Sequence, residues 1–548
     1  MIEEGDGGAT GSVFNRESFP AAGTEISGGE IKFSDLERKN VIFGRPGTAK
    51  TTTIARVMAE YLTGGGSEVG LLYLTYSRSM AKDARERTGL SKNSVGTLHS
   101  ILSRRLGWRK GIGSDIGDFL SDEDVTKFCD KYGIKKKARF RSWDKPQEFD
   151  EDDDQWTIFT EFYDAAKNRV PPIRLSDLDT QNISPFDLDF IAYKYDKLKE
   201  ELGRHDYTDI LVQAAKMSFM PLDLLIVDEA QDLTPIMWNI VEKIASVTKR
   251  TVFAGDELQC IYGFKGADPA FLLAKTKDSK VFHLRKSYRL TAENKELADR
   301  IAKKITIKEQ IDFNSSGKHG RAEFGADIDA VLAQPGERWL LCRTKYIATH
   351  VAKYLKEEGV IYLPINQKHA SISPWSSRLI ELNNALASWP NVPIESMVEI
   401  LRKLPASMLQ RGVKTMATEE RYDELKKLMG ESLLGMNDIL KFFKDPNATR
   451  KELIKSLSIP DGKKDLLFQF EGRPIKREDV VRVDTFHAAK GLEAENVGVI
   501  LNLTKRTYKS YLTDPDSEYR NLYVAVTRSK ANVFLIQLNI PGGMCYEV

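Results

Sequence analysis

The hydrophobic positions of this chain fall into two alternating patterns. Short apolar runs at Val41-Ile42-Phe43, Leu71 to Leu74, Leu224 to Val227 and Thr251 to Ala254 have the length of buried strands. Between the first two, Ile54, Val57, Met58, Tyr61 and Leu62 recur at helical spacing, and Gly64-Gly65-Gly66 stops that helix. Strands alternating with helices predict a parallel α/β sheet. The pattern then begins again. Trp339 to Cys342, Val480 to Val483, Val497 to Leu501 and Val533 to Ile536 read as strands, and Ile347, Val351, Tyr354 and Leu355 form a helical stripe. The chain thus holds two α/β units. Each is interrupted by a charged or proline-punctuated stretch of helical character, over 98–205 and 366–474. No internal repeat stands out, and the acidic run Glu148 to Asp154 reads as a solvated loop.

Composition narrows this little. At 548 residues the chain is too long for one core, so three or four structural units are expected. It is 41% hydrophobic and 29% charged, with a net charge of +2. Any nucleic-acid surface must therefore be a local basic patch. Cys129, Cys260, Cys342 and Cys545 are scattered without metal-ligand or redox spacing, which points to a reducing cytosol. No apolar run approaches the roughly 20 residues of a membrane span, and the start lacks the order of a signal peptide. Residues 1–30, with seven glycines, read as a flexible leader.

The chemistry lies where strands end. Val41 to Phe43 leads into Gly44-Arg45-Pro46-Gly47-Thr48-Ala49-Lys50-Thr51, and a helix follows. A strand, a glycine loop and a helix N-terminus make an anion site, because backbone N–H groups and the helix dipole face the phosphates. Lys50 is expected to reach the β- and γ-phosphates, and the Thr51 hydroxyl to ligate Mg²⁺. Ala49 stands where the usual pattern has glycine, which costs about 1 kcal/mol if that position needs φ > 0. The Leu224 to Val227 run ends in Asp228-Glu229. Two carboxylates at a buried strand end are costly unless a cation or a proton-transfer task holds them. Asp228 is expected to hold Mg²⁺ and Glu229 to activate the attacking water. Gln259, after another strand end, can hydrogen-bond a γ-phosphate or the lytic water without titrating. The bland alternatives are an ordinary glycine turn and structural salt bridges.

These pieces resemble a family. GRPGTAKTT, LTYSRSMAKDAR, GTLHS, HDYTDIL, LLIVDEAQDLTP, FAGDELQCIYGFKGAD, LRKSYR, VDTFHAAKGLE and NLYVAVTRSK occur in the order of superfamily 1 helicases of the UvrD/Rep/PcrA type, from residue 44 to 530. The resemblance implies an α/β fold of two RecA-like P-loop motor domains with parallel sheets. Each carries a mostly helical inserted accessory domain. The expected boundaries are 31–97 with 206–290 for the first motor domain and 98–205 for its insertion. The second motor domain takes 291–365 with 475–548, and its insertion 366–474. ATP would bind between the motor domains, on Gly44, Pro46, Gly47, Thr48, Ala49, Lys50, Thr51 and Thr52. Arg289 and Arg528 would reach the γ-phosphate, Tyr288 would stack on the base, and Glu493 would touch the ribose. Thr75, Thr97, His99, Tyr262, Phe264, Lys265, Thr485 and His487 would contact the nucleic-acid strand.

The resemblance has departures. The leader holds no glutamine, so the residue that reads adenine ahead of the phosphate loop is missing. Lys265 and Thr52 stand where relatives commonly have arginine, losing a bidentate fork and a stacking partner. None of these touches the hydrolytic residues. In the first insertion, Lys131, Lys135, Lys136, Lys137, Arg139 and Arg141 interleave with Tyr132, Phe140 and Trp143. Arg104, Arg105, Trp108, Arg109 and Lys110 form a second basic group. Both could contact phosphates or be solvated faces.

The implied protein is an ATP- and Mg²⁺-dependent DNA helicase moving 3′→5′ on single-stranded DNA, in the cytoplasm of a bacterium or phage-infected cell. Its expected partners are single-stranded DNA, single/double-strand junctions and replication or repair proteins, with no membrane. The rivals are a translocase that displaces proteins from single-stranded DNA without processive unwinding, and a nucleic-acid-binding scaffold. Since 18 residues follow Lys530, a nuclease fusion is not expected.

Overall fold

In the computed structural model the apolar runs become the strands of two six-stranded, wholly parallel sheets. The structure describes residues 31–76, 78–109, 117–136, 155–175, 185–366, 369, 372–389, 394–417, 442–445, 447–470, 473–540 and 543–548. The leader, the acidic run, and Lys110, Lys137, Arg139, Phe140, Arg141 and Trp143 lie outside the described residues.

The first sheet contains β1 (Lys39–Gly44), β2 (Leu71–Thr75), β3 (Val95–Thr97), β4 (Leu222–Val227), β5 (Thr248–Gly255) and β6 (Lys280–Leu284), in the order β3-β2-β4-β5-β1-β6. Successive strand residues point to opposite faces, so each run feeds two cores. Val41 and Phe43 join Leu72, Leu74, Leu225 and Phe253 on one face. Ile42 joins Tyr73, Leu224, Ile226 and Val252 on the other, under α1 (Lys50–Thr63). That is why the strands read as unbroken apolar runs, not as alternation.

The second sheet contains β7 (Arg321–Ala326), β8 (Arg338–Cys342), β9 (Ile361–Leu363), β10 (Val480–Thr485), β11 (Ala494–Ile500) and, beyond the short β12 (Asn502–Leu503), β13 (Ser529–Ile536). Their order is β7-β13-β11-β8-β10-β9. It too is buried on both faces.

The stretches between strands are helical. α2 (Arg78–Thr88) and α3 (Leu98–Arg105) follow β2 and β3. Then come α4 (Asp122–Tyr132), α5 (Gln155–Lys167), α6 (Pro185–Leu202) and α7 (Tyr207–Ala214). Phe128, Phe159, Tyr163, Leu188 and Tyr195 on α4, α5 and α6 make a core of their own. By contrast, Leu98, Ile101 and Leu102 of α3 pack in the first sheet's core. The independent packing of the first insertion therefore begins beyond α3, later than residue 98. The second insertion includes helices at Ser377–Ala387, Ile394–Lys403, Arg450–Ser456 and Asp461–Gln469. Its core reaches Ile361 and Leu363 on β9 and Val480 on β10, so it is continuous with one edge of the second sheet. No helix among the described residues is long and apolar enough to cross a membrane.

Candidate functional site

β4, β5 and β1 are neighbours in the first sheet and run in the same direction, so their carboxyl ends bring three segments together. β1 enters the glycine loop, β4 enters Asp228-Glu229, and β5 enters Asp256 to Gln259. Glycine at Gly47 lets another segment pack closely on the loop. Gly47 has φ +75°, and a Cβ there would lie 2.4 Å from Arg289 Cβ. The Ser287-Tyr288-Arg289 segment docks on it, with Ser287 Oγ donating to Pro46 O at 2.7 Å and Tyr288 N to Gly47 O at 2.8 Å. Lys50 Nζ donates to Gly44 O at 2.6 Å, within the loop. Thr51 and Thr52 begin α1, half-buried, while Thr48 is buried and its hydroxyl donates to Arg45 O at 2.8 Å.

Two residues here are in the left-handed region: Ala49, at φ 61°, and Glu229, at φ 55°. Among the described residues they are the only non-glycines with positive φ. Such strain gathers at functional sites, where the surroundings over-determine the backbone. Ala49→Gly is expected to raise stability by about 0.5–1 kcal/mol, since relief of strain outweighs the added freedom of the unfolded chain. A thermal midpoint that does not rise would show that the alanine is unstrained.

The electrostatics of the carboxylates are unequal. Asp228 is buried; its Oδ2 accepts from the Tyr73 hydroxyl at 2.8 Å and its Oδ1 from Glu229 N at 2.9 Å. Burial, and then the charge of Glu229, push its carboxyl up to about 6. For Glu229, burial works against ionisation, but Lys50 and Lys490 override it and hold the carboxyl below its ordinary range. Glu229 is thus charged at neutral pH, and Gln231 Nε2 donates to its Oε2 at 2.5 Å.

Two cations complete this cluster, Arg528 next to β13 of the second sheet and Arg289 in the segment after β6 of the first. Arg528 is fully buried, and its Nη2 donates to Gln259 Oε1 at 2.9 Å. Its other acceptors are Val524 O, Leu492 O and Thr527 Oγ1, all uncharged. Among the described residues no carboxylate forms an ion pair with it. Burial, and then the neighbouring Arg289, lower its pKa to about 9. A buried guanidinium with no carboxylate bonded directly to it is suited to an incoming anion. Arg289 Nε pairs with Glu493 Oε2 at 2.5 Å. Glu493, expected at a ribose, is here the partner of Arg289. Tyr288 is half-buried, with Lys286 Nζ 5.5 Å from its ring centre.

Of the residues expected on the strand, Tyr262, Phe264, Lys265 and His487 form a second cluster that bridges the two sheets. Tyr262 stacks on Tyr76, with ring centres 4.6 Å apart. Phe264, 54% exposed, meets the His487 ring edge-on at 5.6 Å, and Lys265 Nζ lies 5.7 Å from the Phe264 ring centre. His487 Nε2 is 3.1 Å from Ile261 O. Burial, then Lys265 and Arg78, push His99 down to about 4; burial, then Arg343, push His487 down to about 3. Both rings are neutral at pH 7. Thr97 and Thr485 occupy matching places, each ending a strand and capping the next helix by accepting from Ser100 N and Ala488 N, both at 3.3 Å. Thr75 is buried, as Thr97 and Thr485 are, and its hydroxyl donates to Met80 Sδ.

Sequence reasoning missed three residues. Tyr76 completes the aromatic stack. Lys490 Nζ reaches from the second sheet's side to Asp232 Oδ1 at 2.7 Å and to Gln259 O at 2.5 Å. Arg45 pairs with Asp256 and Glu257. All three sit inside quoted motifs; for Tyr76 and Arg45 the one available signal was an aromatic or charged side chain at a strand-end turn, whereas Lys490 caps the short helix Phe486–Ala489.

The comparisons agree with this geometry. Residues 30–280 match the UvrD/REP helicase N-terminal domain, and residues 377–539 the UvrD-like helicase C-terminal domain. The chain is 22% identical to a probable DNA helicase II homolog of Mycoplasma pneumoniae, an alignment spanning 91% of this chain and 82% of that protein. It is 21% identical to the Mycoplasma genitalium counterpart, over 91% and 83%. It is 27% identical to ATP-dependent DNA helicase UvrD2 of Mycobacterium tuberculosis, over 46% and 40%. Two parallel sheets, a phosphate loop on the first and a buried arginine from the second, matched by both halves of one family, make this chain a member of the UvrD/Rep-type superfamily 1 DNA helicases.

Proposed function

We propose that this chain couples Mg²⁺-dependent ATP hydrolysis to 3′→5′ movement along single-stranded DNA and to duplex unwinding. The observation that carries the reading is the Arg528–Gln259 contact. It brings a buried cation of the second unit, with no carboxylate bonded directly to it, to the strand-end cluster of the first.

The residues fit the metal. Asp228 is buried beside a second carboxylate and held by two donors, a setting that a cation relieves. Among the described residues no cluster of three or more metal-ligating side chains exists. That suits Mg²⁺, which takes one or two protein oxygens and completes its shell with phosphates and water. Thr51 and Asp228 would hold it, and when bound it neutralises phosphate charge. In this reading Lys50 and the loop N–H groups orient the phosphates. Glu229 takes the proton of the attacking water, and Gln259, Arg289 and Arg528 meet the transferring group. Arg289 must exchange Glu493 for phosphate, so nucleotide binding frees Glu493 for the ribose. The aromatic cluster of Tyr262 and Phe264 would stack on bases, at about 1–3 kcal/mol per base without regard to sequence. Steps against about 1.4 kcal/mol of stacking per base pair are within reach of one ATP.

The test is ATPase activity with single-stranded DNA, single-stranded RNA or neither, then unwinding of duplexes with a 3′ or a 5′ tail. DNA-stimulated hydrolysis and 3′-tail unwinding are expected. Hydrolysis with protein displacement but no unwinding would point to the translocase, and no stimulation to the scaffold.

A further inference from the structure

Arg45 is the second residue of the glycine loop, in a place where a cation could reach for phosphate. Instead it is 3% exposed and turned onto Asp256 and Glu257, both at 0%. Its Nη1 donates to Asp256 Oδ1 at 2.6 Å and to Glu257 Oε1 at 2.8 Å, and its Nη2 donates to Glu309 O at 2.6 Å. Glu257 Oε1 also accepts from Glu309 N at 2.9 Å. Burial opposes the charge of Arg45, and Glu257 and Asp256 override it, so the guanidinium stays protonated. A buried ion pair is weak support for stability, because apolar packing of the same volume does as well. Its place in the site suggests another role.

The contacts continue beyond it. Asp256 Oδ2 accepts from Gln259 Nε2 at 2.7 Å, and Gln259 Oε1 accepts from Arg528 Nη2 at 2.9 Å. An amide has one acceptor end and one donor end. Because Asp256 takes the donor end, the acceptor end must face Arg528. The backbone of Arg45 is tied in as well, since Thr48 N and Thr48 Oγ1 both donate to Arg45 O, at 3.2 and 2.8 Å. One buried path thus runs from the turn of the phosphate loop through Asp256 and Gln259 to the arginine of the second unit.

We infer that Arg45 is a positioning residue: it fixes Asp256, and through Asp256 the Gln259 amide, so that Arg528 engages the shape of the phosphate loop. The inference rests on the reading of this site as an ATPase. Lysine keeps the charge but cannot bridge three acceptors with a planar fork. Arg45→Lys is therefore expected to lower the DNA-stimulated kcat by more than about fivefold while the KM for ATP stays within about threefold. In a Gln259→Ala background the same change is expected to cost less than about twofold, because the path is already cut. Thermal midpoints and single-stranded DNA affinity are measured on each variant. Should Arg45→Lys not fold, Asp256→Asn breaks the same path and carries the same expectations. A smaller kcat loss, a loss expressed in KM, or losses that multiply with Gln259→Ala would each overturn the inference. A wild-type protein that does not hydrolyse ATP would overturn the functional reading and this inference with it. An active wild type with unaffected variants overturns the inference alone.

Discussion

Replacing Arg528 with alanine is expected to lower the DNA-stimulated rate of ATP hydrolysis at saturation by about 10³–10⁵-fold. The expectation follows from what surrounds the side chain. Arg528 is fully buried, touches only neutral acceptors, and is destabilised as a cation by burial and by Arg289. A phosphoryl group entering between the two sheets supplies the missing negative charge, and supplies most of it when charge moves onto the transferred oxygens. The interaction is therefore stronger in the transition state than in the ground state, which is the condition for raising kcat. Lysine should rescue little, because a point charge does not replace the fork that spans Gln259 and the backbone. Steady-state ATPase with single-stranded DNA measures the loss, and fluorescence anisotropy of labelled strand should show binding little changed, since the hydrogen bonds of Arg528 go to Val524, Leu492, Thr527 and Gln259 and none to the aromatic cluster. A loss of less than about tenfold would remove Arg528 from the reacting centre.

Much of this could be read before the fold was known, and the exceptions share a cause. The strands were legible because burial on both faces turns them into apolar runs, as at Val41 to Phe43 and Leu224 to Val227. The phosphate loop and Asp228-Glu229 were legible because their chemistry needs particular residues at strand ends. The edge of the first insertion was not. The apolar stripe of α3 looks the same whether it covers a sheet or an inserted domain, and only packing shows that Leu98, Ile101 and Leu102 belong to the sheet. Side-chain partners were equally hidden. Nothing local reveals that Glu493 pairs with Arg289, 204 residues away in sequence, or that Arg45 pairs with Asp256, 211 residues away. Nor does a motif show that the hydroxyls of Thr97 and Thr485 are engaged as helix caps. Spacing marks where chemistry can occur; which donor meets which acceptor is decided by tertiary contacts.

Glu229→Gln is expected to leave nucleotide and strand binding nearly intact while lowering hydrolysis by about 10²–10⁴-fold, the range for removing a general base. Gln matches Glu in shape, so the left-handed backbone at φ 55° and the hydrogen bond from Glu229 N to Asp228 Oδ1 can persist. What changes is charge. Glu229 is kept ionised by Lys50 and Lys490 although burial opposes it, so in the wild type a proton acceptor stands ready at neutral pH. The amide cannot take that proton. The substitution also lifts the like charge that pushes Asp228 upward, so its carboxylate should ionise more readily and, on the proposed reading, Mg²⁺-nucleotide binding should hold or tighten. The two readouts therefore separate: single-turnover hydrolysis falls while equilibrium affinity for Mg²⁺-ATP does not. If both fell together, Glu229 would be a ligand or a structural support. If hydrolysis stayed within about tenfold of wild type, the base would be another group, and the strained geometry at Glu229 would need a different explanation.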